Sequence, residues 1–126
     1  MKIPANLKYS KSHEWVEQLK DGSAKIGLTD HAQDALGDLV FVNLPEEGDT
    51  VSAGEPFGDV ESVKAVSDVY SPISGTVSEV NEEVLDSPES INNDPYGAWL
   101  ITVKDFSDGE DLMTAAQYKE FLENEE

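Results

Sequence analysis

The segment Val60-Glu61-Ser62-Val63-Lys64-Ala65-Val66-Ser67-Asp68-Val69-Tyr70-Ser71-Pro72-Ile73-Ser74-Gly75 places one lysine between two strand-like stretches. Residues 57–63 and 65–70 are rich in β-forming residues, so we expect Lys64 to project from a hairpin turn. Its small neighbours leave the amine accessible to a modifying enzyme. Spacing alone does not distinguish a modified lysine from an ordinary solvated one.

Short β-compatible stretches and turns continue outward from this hairpin in both directions. Gly and Pro residues punctuate them densely, which is typical of a sandwich or small barrel and not of a parallel sheet. Upstream, Asp21-Gly22 is a strong turn pair that joins two predicted strands. The predicted strands outside the lysine hairpin are residues 13–19, 23–28, 38–44, 51–52, 75–80 and 98–104.

Two helices are predicted, and the whole chain is expected to form one domain. His31 to Leu36 follow a Thr29 or Asp30 N-cap, and Gly37 suits the left-handed position after a helix. Near the end, Thr114 can cap a helix that runs from Ala115 to about Glu123. A chain of 126 residues fits a single domain, 1–126, with its core at about 7–105 and the C-terminal helical region at about 109–123.

The charge balance restricts the partners. The chain has 27 acidic residues against 8 basic ones, all of them lysine, for a net charge of −19. Such a surface repels nucleic acids and anionic membranes and attracts partners with basic faces. The N-terminus lacks the apolar run of a signal peptide, and no segment has the length of a membrane span. We therefore expect a monomer in a bacterial-type cytoplasm.

The sequence lacks the residues and motifs on which several kinds of catalysis depend. There is no cysteine, and no phosphate-binding loop, dinucleotide fingerprint or nucleophile elbow occurs. The two histidines, His13 and His31, lack metal-ligand spacing, and no metal site is expected. A hydrolase that uses paired carboxylates is an alternative, but close acidic pairs arise by chance in so acidic a chain.

The residues around the lysine resemble a known motif. Glu61-Ser62-Val63-Lys64-Ala65, followed by Ser67-Asp68-Val69-Tyr70-Ser71-Pro72 and Ser74-Gly75, resembles the lipoyl-lysine motif of glycine cleavage system H proteins. Biotin carriers instead resemble Met-Lys-Met at this site, and 2-oxoacid dehydrogenase lipoyl domains resemble Asp-Lys-Ala. The likeness spans roughly residues 7 to 122, and its further blocks are 9–15, 26–33, 36–38, 40–45, 80–81, 91–92, 95–96 and Trp99.

The resemblance implies a fold and a function. The fold is mainly β, a lipoyl/biotinyl-type hybrid barrel-sandwich with a short helix in the N-terminal half and a C-terminal helix. Lys64 carries lipoic acid in amide linkage, and the protein is a non-catalytic carrier. It takes an aminomethyl group from the pyridoxal-phosphate glycine decarboxylase (P protein) to the tetrahydrofolate-dependent aminomethyltransferase (T protein). Dihydrolipoyl dehydrogenase (L protein) and lipoate-attaching enzymes are the other implied partners. An H-like protein that relays lipoyl groups to other proteins is the alternative.

The resemblance also implies roles for individual residues. In the family the arm folds into a cleft near the N-terminal block, which is residues 9–15 here. The candidates for sheltering it are Ser12, Glu14, His31 and Asp68. A carboxylate such as Glu14 can bind the ammonium of the loaded arm by a charge-assisted hydrogen bond. Glu61, three residues before Lys64, is the candidate read by the modifying enzyme.

Three further residues are interpreted structurally. Gly75 is expected to permit a tight turn opposite the lysine hairpin. Trp15 and Trp99 are expected to be core anchors.

Overall fold

A computed structural model describes residues 2–108 and 112–124, which form two antiparallel sheets and four helices. The larger sheet has the strand order β1-β2-β3-β9-β8-β5, and the smaller has the order β4-β6-β7. The mainly β barrel-sandwich expected from the sequence is confirmed. The strands are β1 Lys8–Tyr9, β2 Glu14–Gln18, β3 Ala24–Leu28, β4 Leu39–Asn43, β5 Thr50–Val51, β6 Pro56–Ser62, β7 Val66–Tyr70, β8 Ile73–Val80 and β9 Ile101–Asp108.

The two predicted hairpins form. Strands β2 and β3 pair antiparallel, and the Asp21 carboxylate accepts bonds from the Ser23 N–H and hydroxyl across the turn. Strands β6 and β7 pair with Glu61 opposite Val66, so Val63, Lys64 and Ala65 form the connection between them. Strand β4 lies on the other side of β6 and makes it the central strand of the small sheet.

The core between the sheets is apolar and closed by three short helices. These are α1 Asp30–Leu36, α2 Glu82–Asp86 and α3 Glu89–Asn93. Burying each aliphatic side chain stabilises the fold by roughly 1.5–3 kcal/mol. One cluster joins the small sheet to the helices and to β3; it contains Leu28, Ala32, Leu39, Val42, Val60, Val69, Val84, Ile91, Ala98 and Leu100.

The helices agree with the sequence in part. Thr29 caps α1 by accepting the Ala32 N–H at 3.2 Å, and Gly37 follows the helix with φ +83°. Helices α2 and α3 were not predicted, because five residues each is too short to show a helical period. In the described part of the chain, no helix is long and apolar enough to cross a membrane.

The C-terminal helix, α4, spans Ala115–Asn124, with Thr114 accepting the Gln117 N–H at 3.2 Å. The predicted C-terminal helical region, about 109–123, begins too early, because α4 starts at Ala115. Residues 109–111 lie outside the described residues, and Met113 is extended, because its backbone pairs with that of Tyr9 in a β-bridge.

Gly75 and Trp99 differ from expectation. Gly75 lies inside β8 and not at a turn, so its role is close packing. A Cβ there would collide with Val103 Cγ1 and would lie 2.8 Å from the Lys104 carbonyl oxygen. Trp15 is buried as expected, whereas Trp99 is only half-buried, with the Lys25 ammonium 5.2 Å from its ring centroid.

Replacing Gly75 with alanine should destabilise the fold, because the new methyl meets the neighbouring strand backbone, which cannot move aside cheaply. We expect a loss of about 2 kcal/mol in the free energy of unfolding, measured by urea titration. Glu79→Ala, at an exposed position of the same strand, should change it by less than about 0.5 kcal/mol. Equal effects of the two substitutions would contradict the packing role.

Candidate functional site

The turn that carries Lys64 is closed by Ser62. The Ser62 N–H donates to the Ala65 carbonyl at 2.8 Å, and its hydroxyl oxygen accepts the N–H groups of Lys64 and Ala65, both at 3.1 Å. Ser62 is buried, whereas Lys64 is exposed. A buried side chain thus holds the backbone of an exposed residue in one conformation.

The stem of Lys64 lies over Gly37, at the end of α1. A Cβ built on Gly37 would be 2.8 Å from Lys64 Cε and 3.5 Å from its Nζ. The backbone is joined here too, since the Val63 N–H donates to the Asp38 carbonyl at 3.1 Å. The space left by the missing side chain of Gly37 is therefore occupied by the lysine stem.

Asn92 of α3 fixes the segment under the lysine. Its side-chain amide donates to the Gly37 carbonyl at 2.8 Å, and its side-chain oxygen accepts the Leu39 N–H at 2.9 Å. The amide also donates to the Gln33 side chain at 3.1 Å. Asn92 thereby bonds both ends of the short segment that joins α1 to β4.

Glu14 is buried, with only 1% of its surface exposed. Its Oε1 accepts the hydroxyls of Ser10, at 2.6 Å, and Ser12, and its Oε2 accepts the Tyr70 N–H at 3.3 Å. Burial raises the pKa of Glu14 to about 7, and these three bonds oppose the rise because they favour the ionised form. The carboxyl therefore links the N-terminal block to β7 and titrates near neutrality.

Ser12 belongs to the N-terminal block, and His31 packs against that block. Ser12 is exposed above Glu14, and His13, the next residue, packs its ring against that of His31 with centroids 4.5 Å apart. His13 has φ +74° and its Nδ1 is 2.8 Å from the Tyr118 hydroxyl of α4. That hydroxyl is also 2.8 Å from the Thr29 hydroxyl, so α4 holds the block against α1.

Asp68 and Glu61 lie on the exposed face of the small sheet. Glu61 stands between Phe41 and Val66, and Asp68 lies beside Asp59 in the next row. Asp68 lies two residues before Tyr70, whose N–H donates to Glu14.

Helix α1 connects the two ends of the predicted site. His31 near its start faces the N-terminal block, and Gly37 after its end lies under Lys64, about 9 Å further along the helix. Sequence reasoning identified Gly37 only as a helix terminus and assigned no role to Asn92. Asn92 lies 55 residues from Gly37, and no local pattern signals such a pairing.

The arrangement suits an acylated lysine and offers no evident metal chemistry. In the described ranges, no group of three or more His, Asp or Glu side chains could hold a metal ion. The Lys64 amine makes no hydrogen bond or ion pair within those ranges, while its turn is rigid. The fold and this lysine define a carrier domain of the lipoyl type.

Comparisons with known proteins agree. Residues 7–125 match the family model described as glycine cleavage H-protein. The glycine cleavage system H protein of Lachnoclostridium phytofermentans is 54% identical over 99% of this chain and 98% of its own length. That of Escherichia coli is 52% identical over 98% of each. The crystal structure of the H protein from Mycobacterium marinum superposes with a TM-score of 0.88, at 47% identity, over 94% of this chain and 97% of that one. The chain belongs to the glycine cleavage H-protein family, whose members are lipoyl carriers in glycine cleavage.

The buried Glu14 should make stability depend on pH. The pKa of Glu14 in the folded protein, about 7, lies above its usual value of 4.5. Its favourable contribution to the free energy of unfolding is therefore complete below about pH 4.5 and is lost as the pH rises through 7. The loss amounts to about 3 kcal/mol by pH 8. Urea unfolding between about pH 5 and 8 should show this slope, and Glu14→Gln should remove it.

The matched control is Glu46→Gln, which removes the same charge from an exposed position and should keep the wild-type slope. An unchanged slope in Glu14→Gln would contradict the assignment.

Proposed function

We propose that Lys64 is the attachment point of the lipoyl group and that the chain is a non-catalytic shuttle. It takes the aminomethyl group of glycine from the glycine decarboxylase to the aminomethyltransferase. The supporting observation is the exposed Lys64 amine on a turn that the buried Ser62 holds closed. Lipoic acid, when bound, supplies a disulfide that is reduced as the one-carbon unit is taken up. The protein's own residues hold, present and shelter the arm.

Presentation depends on the turn. Acylation removes the charge of Lys64 but leaves the bonds of its backbone N–H to Ser62 unchanged. The base of the arm therefore stays fixed while the remainder is free to move between partners.

Shelter is proposed at the N-terminal block, with Glu14, Ser12, His31 and Asp68. Glu14 is buried, and the exposed Ser12 donates its hydroxyl to the carboxylate. An ammonium group that takes the place of this donor would replace the lost hydrogen bond with a charge-assisted one. A nearby ammonium group then favours the ionised form of Glu14. His31 packs on His13 of the same block, and Asp68 adds negative charge from the exposed face of the small sheet.

Membership of the glycine cleavage family implies the P, T and L proteins as partners. The net charge of −19 supports docking against basic faces on those enzymes. We also propose that the carrier acts as a monomer in the cytoplasm, the compartment expected from the sequence.

The lipoate-attaching enzyme must make the closest approach, since it forms a bond to Lys64 Nζ itself. It therefore has to cover the residues next to the turn. Val63 and Val66 are 68% and 65% exposed there, and Phe41 is 51% exposed across the sheet. Glu61 lies between Phe41 and Val66 and is the one charge in that row. We propose that Glu61 pairs with a basic side chain of the attaching enzyme.

Lys64→Arg should abolish attachment while it keeps the charge and the fold, because a guanidinium is not acylated. Intact mass of protein from a lipoate-supplied host should show one lipoyl adduct in wild type and none in the variant. Lys8→Arg, at an exposed strand position, should keep the adduct. An adduct that persists in Lys64→Arg would place the lipoyl group elsewhere.

Glu61→Gln should slow enzymatic lipoylation about tenfold, the loss expected for one charge-assisted hydrogen bond. The rate is measured on purified unmodified protein with a lipoate ligase. Glu55→Gln, at an exposed position just before β6, is the control and should leave the rate unchanged. Equal rates for wild type, Glu61→Gln and Glu55→Gln would contradict this role and would show that Glu61 only solvates the hairpin.

A further inference from the structure

We propose that the segment Gly37-Asp38-Leu39, held by Asn92, is a seat for the lysine arm, and that the bare backbone of Gly37 leaves the space in which the arm lies. The proposal rests on the carrier role of Lys64 and deepens it by naming the surface on which the arm begins. It is carried by the packing of Lys64 on Gly37.

Gly37 has a backbone requirement, since φ +83° with ψ −161° is accessible essentially only to glycine, and its contact with Lys64 is a separate feature. Four glycines have positive φ: Gly22, Gly37, Gly48 and Gly54, with values from +83° to +93°. A Cβ on Gly22, Gly48 or Gly54 would meet nothing within 4 Å, so their backbone conformation is sufficient to explain them. A Cβ on Gly37 would lie 2.8 Å from Lys64 Cε, so the flexible lysine stem would have to move aside. Of these four glycines, Gly37 is therefore the one whose bare backbone carries the lysine stem.

The seat and the lysine are held to each other by backbone. The Val63 N–H donates to the Asp38 carbonyl at 3.1 Å, so the residue before Lys64 is bonded to the residue after Gly37. Any shift of the segment moves the lysine turn with it.

Asn92 is the positioning residue of this arrangement. Its side-chain amide group bonds both the Gly37 carbonyl and the Leu39 N–H. These two bonds fix the position of the segment under the lysine. It does not touch Lys64 in these contacts and acts only through the seat.

The seat also gives the arm a direction. Gly37 follows the last turn of α1, and His31 lies near the first turn, beside the block that contains Ser12 and Glu14. An arm that begins on Gly37 starts at one end of α1 and has the proposed shelter at the other. Gly37 thus sets where the sheltered path begins.

The test uses unlipoylated protein, so it does not depend on lipoate. Limiting acetic anhydride is added, and acetylation of Lys64 is measured by peptide mass spectrometry relative to the exposed Lys8 and Lys20 of the same molecule. Gly37→Ala should raise the relative reactivity of Lys64 about fourfold, because the lysine stem would lose the burial of about one methylene group. Gly54→Ala also places a side chain at positive φ, but without the contact, and should leave the relative reactivity of Lys64 unchanged.

A second pair of variants tests the seat in case Gly37→Ala fails to fold. Asn92→Asp keeps the acceptor for Leu39 but sets a carboxylate against the Gly37 carbonyl, and should also raise Lys64 reactivity. Asn81→Asp is its match, because Asn81 likewise donates to a carbonyl, that of Trp99, and accepts an N–H, that of Glu83. It should have no effect on Lys64.

Unchanged reactivity in both Gly37→Ala and Asn92→Asp, or an equal rise in the controls, overturns the seat. A failure of the carrier role is recognised separately, by the lipoyl mass of wild type and Lys64→Arg. In lipoylated and loaded protein kept without partner enzymes, Gly37→Ala should also release ammonia faster than Gly54→Ala.

Discussion

The hydrogen bond from the Val63 N–H to the Asp38 carbonyl joins two parts of the chain on which the site depends. On one side is a hairpin closed by Ser62; on the other is the short chain between α1 and β4, braced by Asn92. The bond brings residues 25 positions apart into fixed relation. Lys64 is therefore exposed without being loosely placed, because its freedom begins at its side chain and not at its backbone.

A buried acid joins the small sheet to the N-terminal block. Glu14 accepts from Ser10 and Ser12 on one side and from the Tyr70 backbone on the other. Burying a carboxyl costs free energy, and these bonds offset only part of that cost, which explains a pKa near 7. A purely structural bridge is made more cheaply with neutral groups, so this acid is in keeping with a role in binding a cation.

Local chemistry made the lysine hairpin, α1 and most strands predictable from sequence. Asp21-Gly22, Thr29 and Gly37 have turn and cap preferences that act over a few residues, and the structure follows them. Apart from α2 and α3, which are too short to show a helical period, the differences from expectation have long-range causes. The sequence predicts Gly75 as a turn glycine, whereas Val103 and Lys104 on the next strand explain it. Met113 is extended because Tyr9 pairs with it from the other end of the chain. The link from Asn92 to Gly37 is likewise invisible to any short window.

The aromatic contacts of α4 determine the order in which the molecule can be completed. Tyr118 stacks on Tyr9 with ring centroids 4.7 Å apart and shares its hydroxyl between His13 and Thr29. Chains emerge from the ribosome N-terminus first, so residues 56–70 can pair before Tyr118 has been synthesised. During synthesis the lysine turn can thus form ahead of the N-terminal block that α4 secures. A nascent chain would offer its lysine to a modifying enzyme before its shelter exists.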